Sequence, residues 1–362
     1  MKLFEDMCFG GHEQVVFWSD PATGLRAIVA IHDTTLGPGL GGTRMYPYAS
    51  EHEALTDVLR LSRAMTYKNA AAGLDFGGGK AVIIGDSAKD KSEALMRSYG
   101  RLVETLNGRY VTTTDVGTTT NDLNIISLET RFVTGTSPAY GGSGDTSMLT
   151  GLTVYVGMRA AAKVKWGKPD LAGRTVAVQG TGKVGWHLME NLHAEGAKLI
   201  VTDVNREQVQ NAASTFGARV VGADDIYDVE CDIFSPNALG ASINYNTVPR
   251  LKCEIVCGGA NNQLETPEDG EALARRGILY APDFIVNSGG VINVADETLG
   301  YNAERAHARA EGVFDTTLYI LTLAKERGIT PNEAAEAYAE SRIKLLSKVH
   351  STFLPGHSPI PR

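Results

Sequence analysis

Cysteine is scarce in this chain, four in 362 residues, and Cys8, Cys231, Cys253 and Cys257 form no C-x-x-C. That pattern supports neither a disulfide framework nor a zinc site, and implies buried free thiols in a reducing compartment. Long apolar runs are missing as well. None reaches the roughly 18 residues needed to span a bilayer, and the start, Met1-Lys2-Leu3-Phe4-Glu5-Asp6, lacks an apolar signal segment. A cytoplasmic location is therefore expected. Positive charge is in deficit: 34 Lys and Arg stand against 42 Asp and Glu, the net charge is −8, and no basic run offsets it. This argues against a nucleic-acid partner. The eight histidines show no H-E-x-x-H or other ligand spacing, so no metal is expected.

What the chain has in quantity is glycine, 40 residues clustered in short stretches where backbone must come close to something. The length favours two domains over one, and a 43% hydrophobic content supplies their cores. Strand-like runs at 14–18, 25–32 and 81–84 alternate with helical patterns over 51–68 and 91–106, and a short strand follows at 109–113. This reads as an α/β layer whose loops, 36–44 and 73–80, carry the unusual chemistry. A glycine-rich break, Tyr140-Gly141-Gly142-Ser143-Gly144-Asp145, precedes a helix over 146–163. Beyond it the pattern is doubly wound, with a helix at 205–215 and strands at 219–221, 231–235, 254–258 and 278–280. Two long helices, 303–325 and 331–348, close the chain, and 355–362 reads as a loose tail. The expected architecture is an N-terminal α/β domain over 1–140, a doubly wound domain of Rossmann type over 146–330, and terminal helices from about 331 to 362 folding back on the first.

The sharpest motif is Thr175-Val176-Ala177-Val178-Gln179-Gly180-Thr181-Gly182-Lys183-Val184-Gly185, followed by Lys198–Thr202 and Asp203. It reads as strand, G-x-G-x-x-G turn, helix and second strand ending in a carboxylate. Gly180 makes the turn, Gly182 admits a pyrophosphate, and Gly185 lets helix pack on strand. The helix N-terminus offers unpaired N–H groups and a positive dipole end to the phosphates. Asp203 can accept both ribose hydroxyls and repels a 2′-phosphate, which favours NAD over NADP. The bland alternative is glycines serving strand–helix packing alone.

Three further residues could carry chemistry. Lys68 closes Met65-Thr66-Tyr67-Lys68, Lys80 closes Gly77-Gly78-Gly79-Lys80, and Asp115 follows Thr112-Thr113-Thr114. A P-loop reading of the glycine-rich lysine fails, because Leu74 and Ala81 stand where Gly and Ser or Thr are required. What remains is a lysine beside three residues without side chains, where a substrate could approach the backbone. A lysine withdrawn from water near a second lysine can act as a base, and a nearby carboxylate could move a second proton. Otherwise each is a solvated charge. The turn Gly258-Gly259-Ala260-Asn261-Asn262-Gln263 either binds a nicotinamide amide or is an Asn-rich turn bonded to its own backbone. Residues 282–294 read as a strand, a glycine pair and a helix. Val291 and Val294 share one face of that helix, either core or pocket wall.

Taken together, Leu36-Gly37-Pro38 with Gly41-Gly42-Thr43-Arg44, Met65–Lys68, Gly77–Lys80, Asp115-Val116-Gly117-Thr118, the Gly180 turn, Ala260–Gln263 and Asn287-Ser288-Gly289-Gly290 resemble the Glu/Leu/Phe/Val amino-acid dehydrogenase family. The likeness is strongest to its bacterial leucine and phenylalanine members, runs from about residue 10 to about 345, and keeps its order throughout. The resemblance implies that Lys80 is the base activating water, Asp115 exchanges a proton with the substrate amine, and Lys68 pairs with the substrate carboxylate. It places Leu40, Gly41, Gly42, Met65, Gly78, Thr113, Val291 and Val294 near the substrate. Thr150 and Asn262 fall near the nicotinamide of an NAD held by residues Gly180, Thr181, Gly182, Lys183, Val184, Gly185 and Asp203. The implied reaction converts an L-amino acid, NAD⁺ and water to a 2-oxo acid, ammonia and NADH, in a homo-oligomer that is octameric in the leucine and phenylalanine enzymes. Leu40, Val291, Val294 and Asn293 resemble the leucine enzymes, while Gly144-Asp145-Thr146-Ser147 and Asp75-Phe76-Gly77 look more like the phenylalanine enzymes. Thr113 departs from both, where Ala and Gly are usual, and would narrow the pocket. Asn237 stands where Cys is usual. A non-catalytic sensor of NAD and an amino acid would be expected to lose Lys68, Lys80 or Asp115, and all three are present.

Overall fold

The computed structural model describes residues 3–349, 352 and 353, so the tail at 355–362 lies outside the described residues. The chain forms two compact units: residues 1–145, 293–303 and 339–362 make one, 146–292 and 304–338 the other. This differs from the sequence division in two places. Residues 293–303 join the first unit, and 331–338 stay with the second.

In the first unit the order is α1 (Leu3–Gly10), β1 (Gln14–Asp20), β2 (Leu25–Asp33), β3 (Gly39–Tyr46), α2 (Glu51–Ala71), β4 (Gly77–Ile84), α3 (Glu93–Thr105), β5 (Tyr110–Thr114) and α4 (Thr120–Ile126). The five strands lie in the order β1-β2-β4-β3-β5. β3 runs parallel to both β4 and β5, while β2 is antiparallel to β4 and to β1. Successive side chains of a strand point to opposite faces. Ile28, Ala30 and Val82 accordingly pack on Ala54, Leu55, Val58 and Leu59 of α2. Ala27, Val29, Ile31, Ala81 and Ile83 pack on Leu95, Met96, Tyr99, Leu102 and Val103 of α3. Ser50 caps α2, its hydroxyl accepting from the Glu53 N–H at 3.1 Å.

The expectation that 36–44 and 73–80 are loops is corrected here. Both glycine stretches run inside strands, β3 and β4, in the interior of the sheet. Glycine's poor strand propensity is overridden because neighbouring chain leaves no room for a Cβ.

The second unit holds α5 (Ser147–Trp166), β6 (Thr175–Gln179), α6 (Lys183–Glu195), β7 (Lys198–Thr202), α7 (Arg206–Phe216), β8 (Arg219–Val220), β9 (Ile233–Pro236), β10 (Ile255–Val256), α8 (Pro267–Arg275), β11 (Leu279–Tyr280) and α9 (Asp283–Val286). The chain continues through α10 (Gly289–Glu297), α11 (Ala303–Glu311), α12 (Val313–Arg327) and α13 (Pro331–Leu346). Its sheet is wholly parallel in the order β11-β10-β9-β6-β7-β8. The strand order reverses between β6 and β9, and the crevice outside the carboxyl ends at such a point is where this fold binds ligands.

Two local readings are corrected. Residues 283–286 are helix α9 rather than strand: Pro282 leads in, and Asp283 Oδ1 accepts from the Phe284 N–H at 2.7 Å, so local bonding outweighs the apolar β-branched run. The long helix expected over 303–325 is two helices, α11 and α12, divided at Gly312.

Candidate active site

Lys80 sits midway along β4 on the α2 side, with 7% of its side chain exposed. Its ammonium is ion-paired to Oδ2 of Asp115, just past the end of β5. The other carboxylate oxygen, Oδ1, accepts from Arg44 Nε at 3.2 Å and from the Val116 N–H. Arg44, on β3, also donates from NH1 to Asp57 Oδ2 at 2.9 Å. Asp57, on α2, further accepts from the Tyr48 hydroxyl at 2.7 Å and from Arg60 at 3.0 Å. Burial pushes the Asp115 carboxyl up, but the Lys80 and Arg44 cations outweigh it and hold the group below the ordinary carboxylate value. The loop carrying Asp115 is pinned: its N–H donates to Thr118 Oγ1 at 2.9 Å, and that hydroxyl donates to the Thr43 carbonyl at 2.8 Å.

The glycines beside Lys80 do something other than the sequence reading supposes. A Cβ on Gly78 would lie 2.0 Å from Thr66 Oγ1, 2.3 Å from Thr66 N and 2.4 Å from the Ser62 carbonyl. On Gly41 it would meet the Gly79 carbonyl at 1.9 Å and Met65 Cγ at 3.1 Å; on Gly42, the Thr114 carbonyl at 2.2 Å and Asp115 Cβ at 3.0 Å. On Gly77 and Gly79 it would strike the Asp33 carbonyl and the Tyr110 ring. The space expected for a substrate at the glycine side-chain positions is filled by protein. Gly78 instead lets α2 sit directly on β4, while Gly41, Gly42, Gly77 and Gly79 let neighbouring strand backbone and the Tyr110 ring close in. The buried Asn69 fastens the end of that helix, donating to the Gly77 carbonyl at 2.7 Å and the Leu40 carbonyl at 3.2 Å. Met65 and the half-buried Lys68 lie on the same stretch of α2.

Leu40 is fully buried, and Thr113 is 9% exposed with no hydrogen-bond partner for its hydroxyl. A Cβ on Gly135 would sit 2.8 Å from Thr113 Oγ1, 3.1 Å from Leu123 Cδ1 and 3.8 Å from Val294 Cγ1, which gathers Thr113, Leu123 and Val294 into one patch. Nearby, the carboxylate of Glu297 accepts from the Gly135 N–H at 2.7 Å and the Ser143 N–H at 2.8 Å. Asn293 donates to Ser143 Oγ at 2.7 Å. Val291, three residues before Val294 on α10, is assigned to the second unit.

In the second unit Gly180 ends β6 with φ +101°, a conformation that L side chains rarely adopt. A Cβ on Gly185 would come within 2.1 Å of the Gly180 carbonyl, whereas one on Gly182 would meet nothing within 4 Å. Gly182 is the N-cap of α6 and supplies no side-chain cap, and Lys183 and Val184 open the helix. Asp203 follows β7. Its Oδ2 accepts from the Thr181 N–H at 2.7 Å and hydroxyl at 3.2 Å, and its Oδ1 from the Asn205 N–H at 2.9 Å. An open cradle over Gly182, an uncapped helix start and a carboxylate after the second strand fit the pyrophosphate and ribose of NAD.

Asn237, an unexplained departure at the sequence level, ties two loops of this sheet. Its Oδ1 accepts from the Gly259 N–H at 2.8 Å, and its Nδ2 donates to the Ser235 carbonyl at 2.9 Å. Asn262 is exposed with φ +51°, and Asn261 Oδ1 accepts from Asn287 Nδ2 at 2.9 Å. Thr150, on α5, lies against Gly290: a Cβ there would be 3.3 Å from its hydroxyl. Arg44, read in the sequence only as the end of Gly41-Gly42-Thr43-Arg44, and its neighbours Asp57 and Tyr48 were not singled out as site residues; the available signal was a lone charge, Arg44, inside an otherwise apolar strand.

Cys253 and Cys257 are buried free thiols, Cys231 is only half-buried, and the side chain of Cys8 lies outside the described set. Among the described residues no cluster of His, Cys, Asp or Glu could hold a metal, and no helix is long and apolar enough to cross a membrane.

An NAD-dependent oxidoreductase is the class these two halves define. Comparison with known proteins narrows it. Residues 12–132 match the profile described as "Glu/Leu/Phe/Val dehydrogenase, dimerisation domain", and residues 141–205 and 198–318 match "Glutamate/Leucine/Phenylalanine/Valine dehydrogenase". The chain is 56% identical over 354 residues to the leucine dehydrogenase of Thermoactinomyces intermedius, covering 98% of this chain and 97% of that one. It is 55% identical to the valine dehydrogenase of Streptomyces coelicolor, covering 92% and 93%. The crystal structure of L-tryptophan dehydrogenase from Nostoc punctiforme superposes with a TM-score of 0.86 at 44% identity, covering 95% of this chain and 99% of that one. The chain belongs to the Glu/Leu/Phe/Val dehydrogenase family and is an amino-acid dehydrogenase.

Proposed function

We propose that this enzyme catalyses the reversible oxidative deamination of branched aliphatic L-amino acids, leucine foremost, with Lys80, Asp115 and Lys68 as its working groups. The balance is L-amino acid, NAD⁺ and water giving 2-oxo acid, ammonium, NADH and a proton. Bound NAD⁺ supplies the acceptor for the hydride from Cα. Lys80 takes a proton from the water that adds to the imino carbon, and Asp115 exchanges one with the nitrogen. Because the two are already paired, a proton can pass between them without changing the net charge of a buried site. Lys68 sets a cation opposite the substrate carboxylate. Leu40, Met65, Thr113, Val291 and Val294, with the backbone of Gly41, Gly42 and Gly78, shape the substrate site. The Gly180–Gly185 turn, Asp203, Thr150 and Asn262 hold the dinucleotide.

The observation that carries this reading is the buried Lys80–Asp115 pair, together with the uncharged side chains Leu40, Met65, Thr113 and Val294 among the residues assigned to the substrate. Relatives named for leucine and for valine support the aliphatic choice. The first unit is read as the oligomerisation module of a cytoplasmic homo-octamer; the name of the profile it matches, a dimerisation domain, supports self-association. The test follows NADH formation with L-leucine, L-valine, L-isoleucine and L-phenylalanine, with Lys80→Ala as control. Turnover of the aliphatic set that is lost in the variant is expected. Phenylalanine winning would overturn the substrate assignment, and no turnover at all would overturn the activity.

A further inference from the structure

We propose that Arg44 is the positioning residue for Asp115: anchored on Asp57, it keeps the Asp115 carboxylate in place through the whole proton cycle of Lys80. The inference rests on the roles given above to Lys80 and Asp115. The two oxygens of Asp115 have separate partners, Lys80 on Oδ2, and Arg44 with the Val116 N–H on Oδ1. Lys80 has to give and take a proton, and in its neutral phase it contributes no charge to Asp115. A guanidinium does not deprotonate in proteins, so Arg44 is the cation that stays.

The geometry suits a fixed strut. Arg44 bridges two carboxylates rather than gripping one bidentately, through Nε to Asp115 and NH1 to Asp57. Asp57 is itself held by the Tyr48 hydroxyl on Oδ2 and by Arg60 on Oδ1. Burial, then the hydrogen bond to Asp57, pushes the Tyr48 phenol far above its ordinary value, so it remains a donor. The charged groups that act on Asp115 are therefore Lys80 from β4 and Arg44 from β3, with Asp57 of α2 and Tyr48 acting through Arg44, and Arg60 of α2 bound to Asp57. All three central side chains are withdrawn from solvent, Arg44 to 23%, Asp57 to 14% and Asp115 to 15% exposure, where an ion pair is not screened as it is at the surface.

The kinetic test is the pH dependence of kcat/KM for reductive amination of the leucine 2-oxo acid in wild type, Arg44→Gln, Arg44→Lys and Asp57→Asn. Arg44→Gln should move the acidic limb up by about one to three pH units, the range a neighbouring arginine imposes on a carboxylate. Arg44→Lys should recover part of the shift, Asp57→Asn, which leaves the Arg44 cation in place, should not reproduce the full upward shift, and KM for NADH should not change. An unmoved limb, or the same fractional loss at every pH, would show a structural role only and overturn the proposal. A second readout needs no turnover: the ¹³C carboxyl titration of Asp115 in Lys80→Met against Lys80→Met/Arg44→Gln. The double variant should titrate at least about one unit higher, and equal midpoints would overturn the proposal even if the wild type turned over no amino acid.

Discussion

Replacing Gly182 and, separately, Gly185 with alanine should separate a glycine that serves a ligand from one that serves the fold. The two lie three residues apart in one turn, and the same methyl is added to each. On Gly182 it enters open space, with φ at −64°, which alanine accepts. The apo protein should keep its stability to within about 0.5 kcal/mol, since the stiffer unfolded chain offsets a slightly poorer N-cap. NADH should bind on the order of tenfold more weakly or worse, about 1.4 kcal/mol, because the methyl occupies the place of the pyrophosphate. On Gly185 the methyl would fall 2.1 Å from the Gly180 carbonyl, so α6 must lift from β6 by more than an ångström. Overpacking of that kind costs about 1–3 kcal/mol, which in a unit of this size lowers Tm by roughly 2–12 °C without any ligand present. Thermal unfolding of the apo proteins and a fluorescence titration with NADH read both quantities. If Gly182→Ala melts as early as Gly185→Ala while binding NADH like the wild type, the assignment of the open cradle to the dinucleotide is wrong.

Two further predictions concern the first unit. His32 is held down at about 4 from its ordinary 6.5, by burial first and then by the neighbouring His12, against the opposing bond to the Gly10 carbonyl. With the folded value below the unfolded one, its contribution is complete above pH 6.5 and is lost as pH falls towards 4. Going from pH 7 to 5 should therefore remove about 2 kcal/mol of stability, and His32→Gln should flatten that slope in calorimetric scans; an equal slope in the variant would reject the assignment. Thr113→Ala removes a hydroxyl with no partner, so stability should hold, and kcat/KM for L-leucine relative to L-valine should rise about tenfold, the worth of roughly one methylene in an apolar pocket. An unchanged ratio would place Thr113 outside the pocket.

The Rossmann motif was legible because its chemistry is local: turn, helix start and carboxylate fall within one stretch of chain, and β6, α6 and β7 lie where the pattern puts them. Gly77–Gly79 misled for a physical reason. The absence of a Cβ reads the same whether a ligand or another piece of backbone needs the space, and only the approach of Thr66 and Ser62 to Gly78 tells them apart. The same ambiguity turned β3 and the glycine half of β4 into apparent loops. Lys80, Lys68 and Asp115 could be chosen as candidates by residue type and setting, but the pairing of Lys80 with Asp115 depends on the parallel register of β3 with β4 and β5, which no local pattern encodes. Arg44 was visible as a charge in an apolar strand. Its partner Asp57 was indistinguishable from any acid on an amphipathic helix.

The chain's return to the first unit bears on how the protein can be made. Glu297, the acceptor for the Gly135 and Ser143 amides, comes from residues 293–303, and Arg342, which donates to the Leu74 carbonyl and to Asp75, comes from beyond residue 338. On the ribosome, residues 1–145 emerge early but wait for these contacts until nearly the whole second unit has been synthesised, and that unit in turn waits for 304–338. Neither half is finished before the other has begun. A gene cut after Asp145 would thus yield two incomplete pieces, and a nascent chain stalled midway would expose unfinished packing in both.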